Sequence, residues 1–282
     1  MSSVADPAPL PPPDLHRPRA GRARIICIAN QKGGVGKTTT AVNLATALAA
    51  AEKRVLLVDL DPQGNASTGL GIPRQDRANS TYQLLLGLTA LAPAVRPTLV
   101  PHLFVVPSAS DLSGAEIELV TLDRREYRLK DALHDHLDGY DFVLIDCPPS
   151  LGLLTLNALV AADAILIPVQ CEFYALEGVT ALTRTVERIR RALNPALTIQ
   201  GVVLTMADKR NNLSVLVDRD VRAHFGDTVY ETVIPRNVRL SEAPSHGKPA
   251  LLYDFHSAGA QAYVHLAREL LARERRREAA PS

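Results

Sequence analysis

The stretch Lys32-Gly33-Gly34-Val35-Gly36-Lys37-Thr38-Thr39 lies between an apolar run, residues 25–29, and a helical pattern that begins near Thr38. A strand that ends in a glycine-rich turn and opens a helix aims successive backbone N–H groups, and the positive end of the helix dipole, at one point. That point suits phosphate. Gly33, Gly34 and Gly36 admit dihedrals and close approaches that a Cβ forbids. Lys37 can reach the β- and γ-phosphates of a nucleotide, and the Thr38 hydroxyl can ligate Mg²⁺. The loop lacks the G-x-G-x-x-G fingerprint of dinucleotide sites, which disfavours a hydride-transfer enzyme.

The loop departs from the usual G-x-x-x-x-G-K-[ST] pattern, because Gln31 stands where its first glycine belongs. The next position, variable in that pattern, holds a second lysine, Lys32. The run Lys32 to Thr39 thereby resembles the deviant Walker A motif of the ParA/MinD family of dimerising ATPases. The resemblance implies that Lys32, Gly33, Gly34, Val35, Gly36, Lys37, Thr38 and Thr39 bind ATP, and that Lys32 crosses to the nucleotide of a partner subunit.

Val55-Leu56-Leu57-Val58 is a continuous apolar run of the kind central parallel strands show, and it ends in Asp59-Leu60-Asp61-Pro62-Gln63-Gly64-Asn65. Ligands of open α/β sheets sit at the carboxyl ends of the strands, so these aspartates face the same nucleotide as the glycine loop. The segment is similar to the one the family carries after its second strand. By that resemblance Asp59 supports Mg²⁺ and Asp61 orients the attacking water. Taken on its own residues, an aspartate before proline also reads as a turn cap.

Phe142-Val143-Leu144-Ile145-Asp146 is another apolar strand ending in a carboxylate, the Walker B arrangement, which places Asp146 near Mg²⁺. Cys147-Pro148-Pro149-Ser150 then gives a stiff turn short of N–H donors, suited to a switch segment beside a γ-phosphate. Other expected strands lie at 102–109, 164–169, 199–206 and 229–234. Expected helices lie at 38–51, 80–87, 108–119, 124–137, 153–162, 175–193, 212–225 and 257–278, with Ser80 capping the second. This alternation predicts an α/β fold: a doubly wound, mostly parallel twisted sheet with helices on both faces, of the P-loop NTPase type.

The run Ile234-Pro235-Arg236-Asn237-Val238-Arg239-Leu240-Ser241-Glu242 cannot be assigned chemistry from composition. It resembles a stretch of the chromosomal ParA (Soj) branch. That resemblance implies Pro235 and Asn237 against the adenine, and Arg210 and Arg239 on DNA phosphates; ordinary surface salt bridges are the other reading of the arginines.

The 282 residues are 46% hydrophobic, enough for a large core, and the net charge is only +1, so nucleic-acid binding needs a local basic patch. Three scattered cysteines, Cys27, Cys147 and Cys171, have neither metal spacing nor an even disulfide count and read as reduced, mostly buried thiols of a cytoplasmic protein. We expect a disordered tail rich in proline and arginine over 1–22, a single ATPase domain over 23–278 and a disordered end over 279–282. The tail has no apolar core for a signal peptide, and no run is long enough to span a membrane.

The family resemblance covers residues 25–268. It implies a weak Mg²⁺-dependent ATPase for DNA partitioning. ATP closes two copies into a sandwich homodimer, the dimer binds non-specific duplex DNA on the nucleoid, and a ParB-type centromere-binding partner stimulates the hydrolysis that releases it. A MinD-like ATPase that positions proteins at a membrane surface is the alternative, although the arginine-rich end of the last helix has only a short apolar face.

Overall fold

The structure, a computed structural model, describes residues 22–279 apart from residues 135, 173, 174 and 209. Most of the proline-rich tail and residues 280–282 lie outside the described residues.

The apolar runs form strands in six of the seven places expected, and a two-residue edge strand joins them. They are β1 (Arg24–Ile28), β2 (Val55–Asp59), β3 (Arg96–Pro97), β4 (Leu103–Val106), β5 (Phe142–Asp146), β6 (Ala164–Gln170) and β7 (Thr198–Thr205). Among the described residues they make one seven-stranded sheet in the order β3-β4-β2-β5-β1-β6-β7. Every pairing is parallel except that of the two-residue edge strand β3 with β4, which is antiparallel and was not expected from sequence.

Near-continuous apolar strands need cover on both faces. Alternate residues supply it. Ile25, Cys27, Leu56, Val58, Val143 and Ile145 pack into one core with the Leu153–Ala161 and Ala175–Ala192 helices. Ile26, Ile28, Leu57 and Leu144 face the other way, against the Lys37–Ala50 and Ala258–Ala279 helices. The doubly wound reading holds, and all three cysteines are free and buried.

The register positions the site. Ile28 of β1 lies opposite Asp146 of β5, and Asp146 lies opposite Asp59 of β2. The glycine loop and both carboxylates therefore leave the sheet from one row at its carboxyl edge, where ligands of open α/β sheets bind.

Two expectations are corrected. Residues 229–234 form no strand, only isolated bridges from Val202 to Val229 and from Ala207 to Pro235. The reason is a competing acceptor: Glu231 N and Thr232 N donate to the Glu269 carboxylate at 3.0 Å each, which breaks the ladder between those two bridges. The helix expected over 124–137 shrinks to Arg128–Leu133. Arg124 takes a left-handed φ of 53°, and its carbonyl accepts from Tyr127 N at 2.8 Å, a turn that delays the helix. The Ser80 cap stands, as a full capping box with Gln83.

Candidate nucleotide-binding site

The phosphate loop is held from three directions. Asn30 Nδ2 donates to Pro168 O of β6 at 2.8 Å, and Asn30 Oδ1 accepts from Lys32 N at 3.0 Å. Thr205 Oγ1, at the end of β7, donates to Val35 O at 2.8 Å. Gly34 and Gly36 take φ of 75° and 86°, the left-handed region where a side chain is strained. Gly36 O then receives Thr40 N at 2.8 Å and the Lys37–Ala50 helix begins. That helix has neither a side-chain cap nor an acidic residue in its first turn. Its leading N–H groups and its dipole are left for an anion.

Lys37 is 6% exposed, and its ammonium donates to Lys32 O at 3.1 Å. Burial holds its pKa below the ordinary lysine range, opposed by the charges of Asp146, Cys147 and Asp61. An ammonium carries three donors, so Lys37 has capacity to spare for phosphate oxygens.

Asp59 and Asp146 are both fully buried. The Asp59 carboxylate accepts from Ser67 N at 2.8 Å, from Ser67 Oγ at 2.6 Å and from Asp61 N at 3.3 Å. Burial nevertheless pushes Asp59 up to about 6. Among the described residues neither oxygen of Asp146 completes a hydrogen bond of ordinary geometry, although the Thr38 hydroxyl lies near enough to act on it. Burial and then the neighbouring charge of Asp59 raise its pKa, while the Thr38 hydroxyl and Lys37 favour its ionised form. Leaving a carboxylate this deep without a partner costs several kcal/mol unless something charged meets it. A divalent cation fits. Among the described residues no group of three or more His, Cys, Asp or Glu could hold a metal alone, so the remaining ligands would be Thr38, phosphate and water, as Mg²⁺ prefers.

Asp61 is 7% exposed, and its carboxylate accepts from Gln63 N at 3.0 Å. It caps the turn, as the local reading proposed, and its charge also acts on Lys37 and Asp146. Lys32 points elsewhere. Its ammonium pairs with the carboxylate of Glu172, just after β6, and both side chains are at least a third exposed.

Pro235 and Asn237 line a cavity of about 390 Å³ together with Gly36, Thr38 and Thr39. Met206 closes the same cavity with a left-handed φ of 52°. The Asn237 carboxamide oxygen accepts from Arg239 N at 3.0 Å and caps the Val238–Glu242 helix. Arg210 and Arg239 are not among the cavity's lining residues. Arg210 pairs with Asp208 at 3.0 Å, and Arg239 with Glu242 at 2.8 Å and Asp254 at 3.2 Å. Both are solvent-exposed pairs, which water and salt screen, so neither arginine is committed to its partner.

The loop, Lys37, Thr38, Asp59, Asp61 and Asp146 thus share one site, Pro235 and Asn237 border it, and Lys32 is turned aside. Sequence reasoning missed Glu172, Ser67 and Met206. Ser67 alone left a trace, as a hydroxyl in the polar turn after Asp59.

A family model described as an AAA domain matches residues 23–199. The chromosome partitioning protein ParA of Caulobacter vibrioides is 62% identical over 262 residues, which are 92% of this chain and 98% of that protein. The sporulation initiation inhibitor protein Soj of Bacillus subtilis is 56% identical, over 88% of this chain and 98% of that one. The chain belongs to the ParA/Soj family of chromosome-partitioning ATPases. Among solved structures, the cobyrinic acid a,c-diamide synthase of Mycobacterium smegmatis with bound ATP analogue and magnesium superposes with a TM-score of 0.77 at 38% identity, covering 88% of this chain and 94% of that one. Both relatives thus match this chain along 98% of their own length.

Proposed function

We propose that this protein segregates DNA by an ATP-gated cycle of dimerisation. The observation that carries the reading is the division of labour between two lysines of one loop. Lys37 is buried inside it, whereas Lys32 stands on its exposed side, where its ammonium pairs with the half-exposed Glu172.

ATP enters with its phosphates on the loop N–H groups and Lys37, and its base in the cavity bordered by Pro235 and Asn237. Thr38, Asp59 and Asp146 would hold Mg²⁺, which supplies charge neutralisation at the β- and γ-phosphates. Two copies then close face to face over two nucleotides. Lys32 leaves Glu172 for the terminal phosphate opposite, whose larger negative charge outbids a solvent-screened carboxylate worth about 0–1 kcal/mol. Asp61 orients water, hydrolysis removes the charge that Lys32 was holding, and the pair separates.

Closure doubles the number of exposed arginines on one particle, so weak contacts of Arg210 and Arg239 with duplex phosphates become avid only in the ATP state. A ParB-type partner would accelerate hydrolysis and hence release, while DNA binding in the ATP state would place the working protein on the nucleoid in the cytoplasm. Among the described residues no helix is long and apolar enough to cross a membrane. The end of the last helix is also engaged: Arg273 donates to Val229 O and Glu269, and the buried Glu274 pairs with Arg24 and Arg277. The MinD-like membrane-surface alternative gains nothing from it.

Two expected results test the cycle. Retention of non-specific duplex DNA should require ATP and should fall steeply as salt rises. Arg239→Glu should weaken it by about tenfold or more with ATP affinity unchanged; retention that ignores nucleotide or salt would refute the DNA step. Glu172→Gln removes the carboxylate that detains Lys32, so half-maximal dimerisation in sedimentation should need less ATP, by about twofold to fivefold. A requirement for more ATP would mean that Glu172 assists closure instead of opposing it.

A further inference from the structure

Arg77 is 5% exposed and lies outside every motif above. Its guanidinium donates to Ile72 O from Nε at 3.1 Å and from Nη2 at 2.7 Å, to Thr68 Oγ1 at 3.0 Å, to Gly64 O at 3.3 Å and to Ser108 O at 3.1 Å. Every one of these acceptors is neutral. A buried cation is a costly way to tie loops together, since an apolar side chain of similar volume often serves stability as well or better. Burial lowers the pKa of Arg77, and the charge of Asp59 is the main influence that opposes it.

The acceptors are informative. Gly64, Thr68 and Ile72 belong to the segment that follows Asp61, and Ser108 follows β4. Ser108 Oγ donates to Asp61 O at 2.7 Å, and Ser108 N donates to Ser67 Oγ at 3.0 Å, the same hydroxyl that donates to Asp59 at 2.6 Å. One guanidinium thus reaches the main-chain carbonyl of Asp61 through Ser108, and the Asp59 carboxylate through Ser108 and Ser67 in turn. Gly64 is shaped for it: at φ 64° a Cβ there would lie 2.5 Å from Arg77 Nη1 and 3.0 Å from Ser108 O.

We infer that Arg77 is a positioning residue for ATP hydrolysis, clamping the 64–72 segment to Ser108 so that Asp61 is held at the angle from which it orients water. The inference rests on the hydrolytic role proposed for Asp61. Arg77 is not among the residues lining the nucleotide cavity, and its hydrogen bonds go to residues outside the glycine loop, so its effect falls on turnover and spares binding. Lysine in its place keeps the charge but loses the fork that spans four residues.

The experiment uses the full-length protein and its Arg77→Lys, Ser108→Ala and Asp61→Ala variants, each assayed for phosphate release against ATP concentration and for affinity toward a fluorescent ATP analogue. Arg77→Lys should lower kcat by about tenfold or more and Ser108→Ala by about threefold to tenfold, with analogue affinity within about threefold of the parent in both. A general structural weakening would erode KM and affinity together with kcat. If Arg77→Lys does not fold, Ser108→Ala decides alone. Parental kcat in Ser108→Ala, with Asp61→Ala inactive, overturns the role of Arg77 and leaves that of Asp61 standing. Parental turnover in Asp61→Ala overturns both.

Discussion

Asp61→Ala is expected to bind ATP with nearly parental affinity, to form the closed dimer, and to release phosphate at least about 100-fold more slowly. The separation of effects follows from where Asp61 sits. Its side chain makes no contact that builds the phosphate loop, whose geometry comes from Asn30, Thr205 and the glycines. It is nearly buried and beside Lys37 and Asp146, and the Ser108 hydroxyl fixes its backbone. Removing it leaves the charge balance for binding with Lys37 and deletes the group that aims water. Phosphate release at saturating ATP, measured beside nucleotide affinity, checks this; turnover within about twofold of the parent would remove Asp61 from the chemistry.

The second large effect is at Lys32. Lys32→Ala should retain nucleotide binding, because Lys37 and the loop N–H groups remain, and should lose ATP-dependent dimerisation. Truncating one partner of a desolvated charge pair across an interface costs about 2–5 kcal/mol. At about 1.4 kcal/mol per tenfold, that weakens association from roughly 30-fold to a few thousand-fold at one seam, and a symmetric dimer has two. Sedimentation with ATP, comparing Asp61→Ala with the Asp61→Ala and Lys32→Ala double variant, keeps the nucleotide intact during the run. Equal dimer fractions would contradict a lysine that crosses.

Much of this was legible in the chain because the parts are local. A glycine loop between an apolar strand and a helix, and two apolar strands ending in aspartate, announce the site at any distance in sequence, and the register that lines up Ile28, Asp146 and Asp59 follows from parallel pairing. The turn cap at Asp61 was also readable, since Gln63 is two residues away. What failed to show depends on distant partners. Glu172 meets Lys32 across 140 residues, and Ser108 meets Asp61 across 47, with no motif marking either. The same holds for 229–234, whose alternating pattern reads as a strand until the Glu269 carboxylate takes its N–H groups. Arg77 belongs to no motif of the sequence, yet it is buried among carbonyls that Gly64, Ile72 and the distant Ser108 supply.

The crossing of Lys32 is tested most directly by a crystal structure of the Asp61→Ala protein grown with ATP and Mg²⁺. The account predicts a two-fold pair with each Lys32 ammonium about 3 Å from the terminal phosphate of the other subunit's nucleotide and no longer on Glu172. A single subunit, or a pair in which Lys32 stays with its own Glu172, would contradict it.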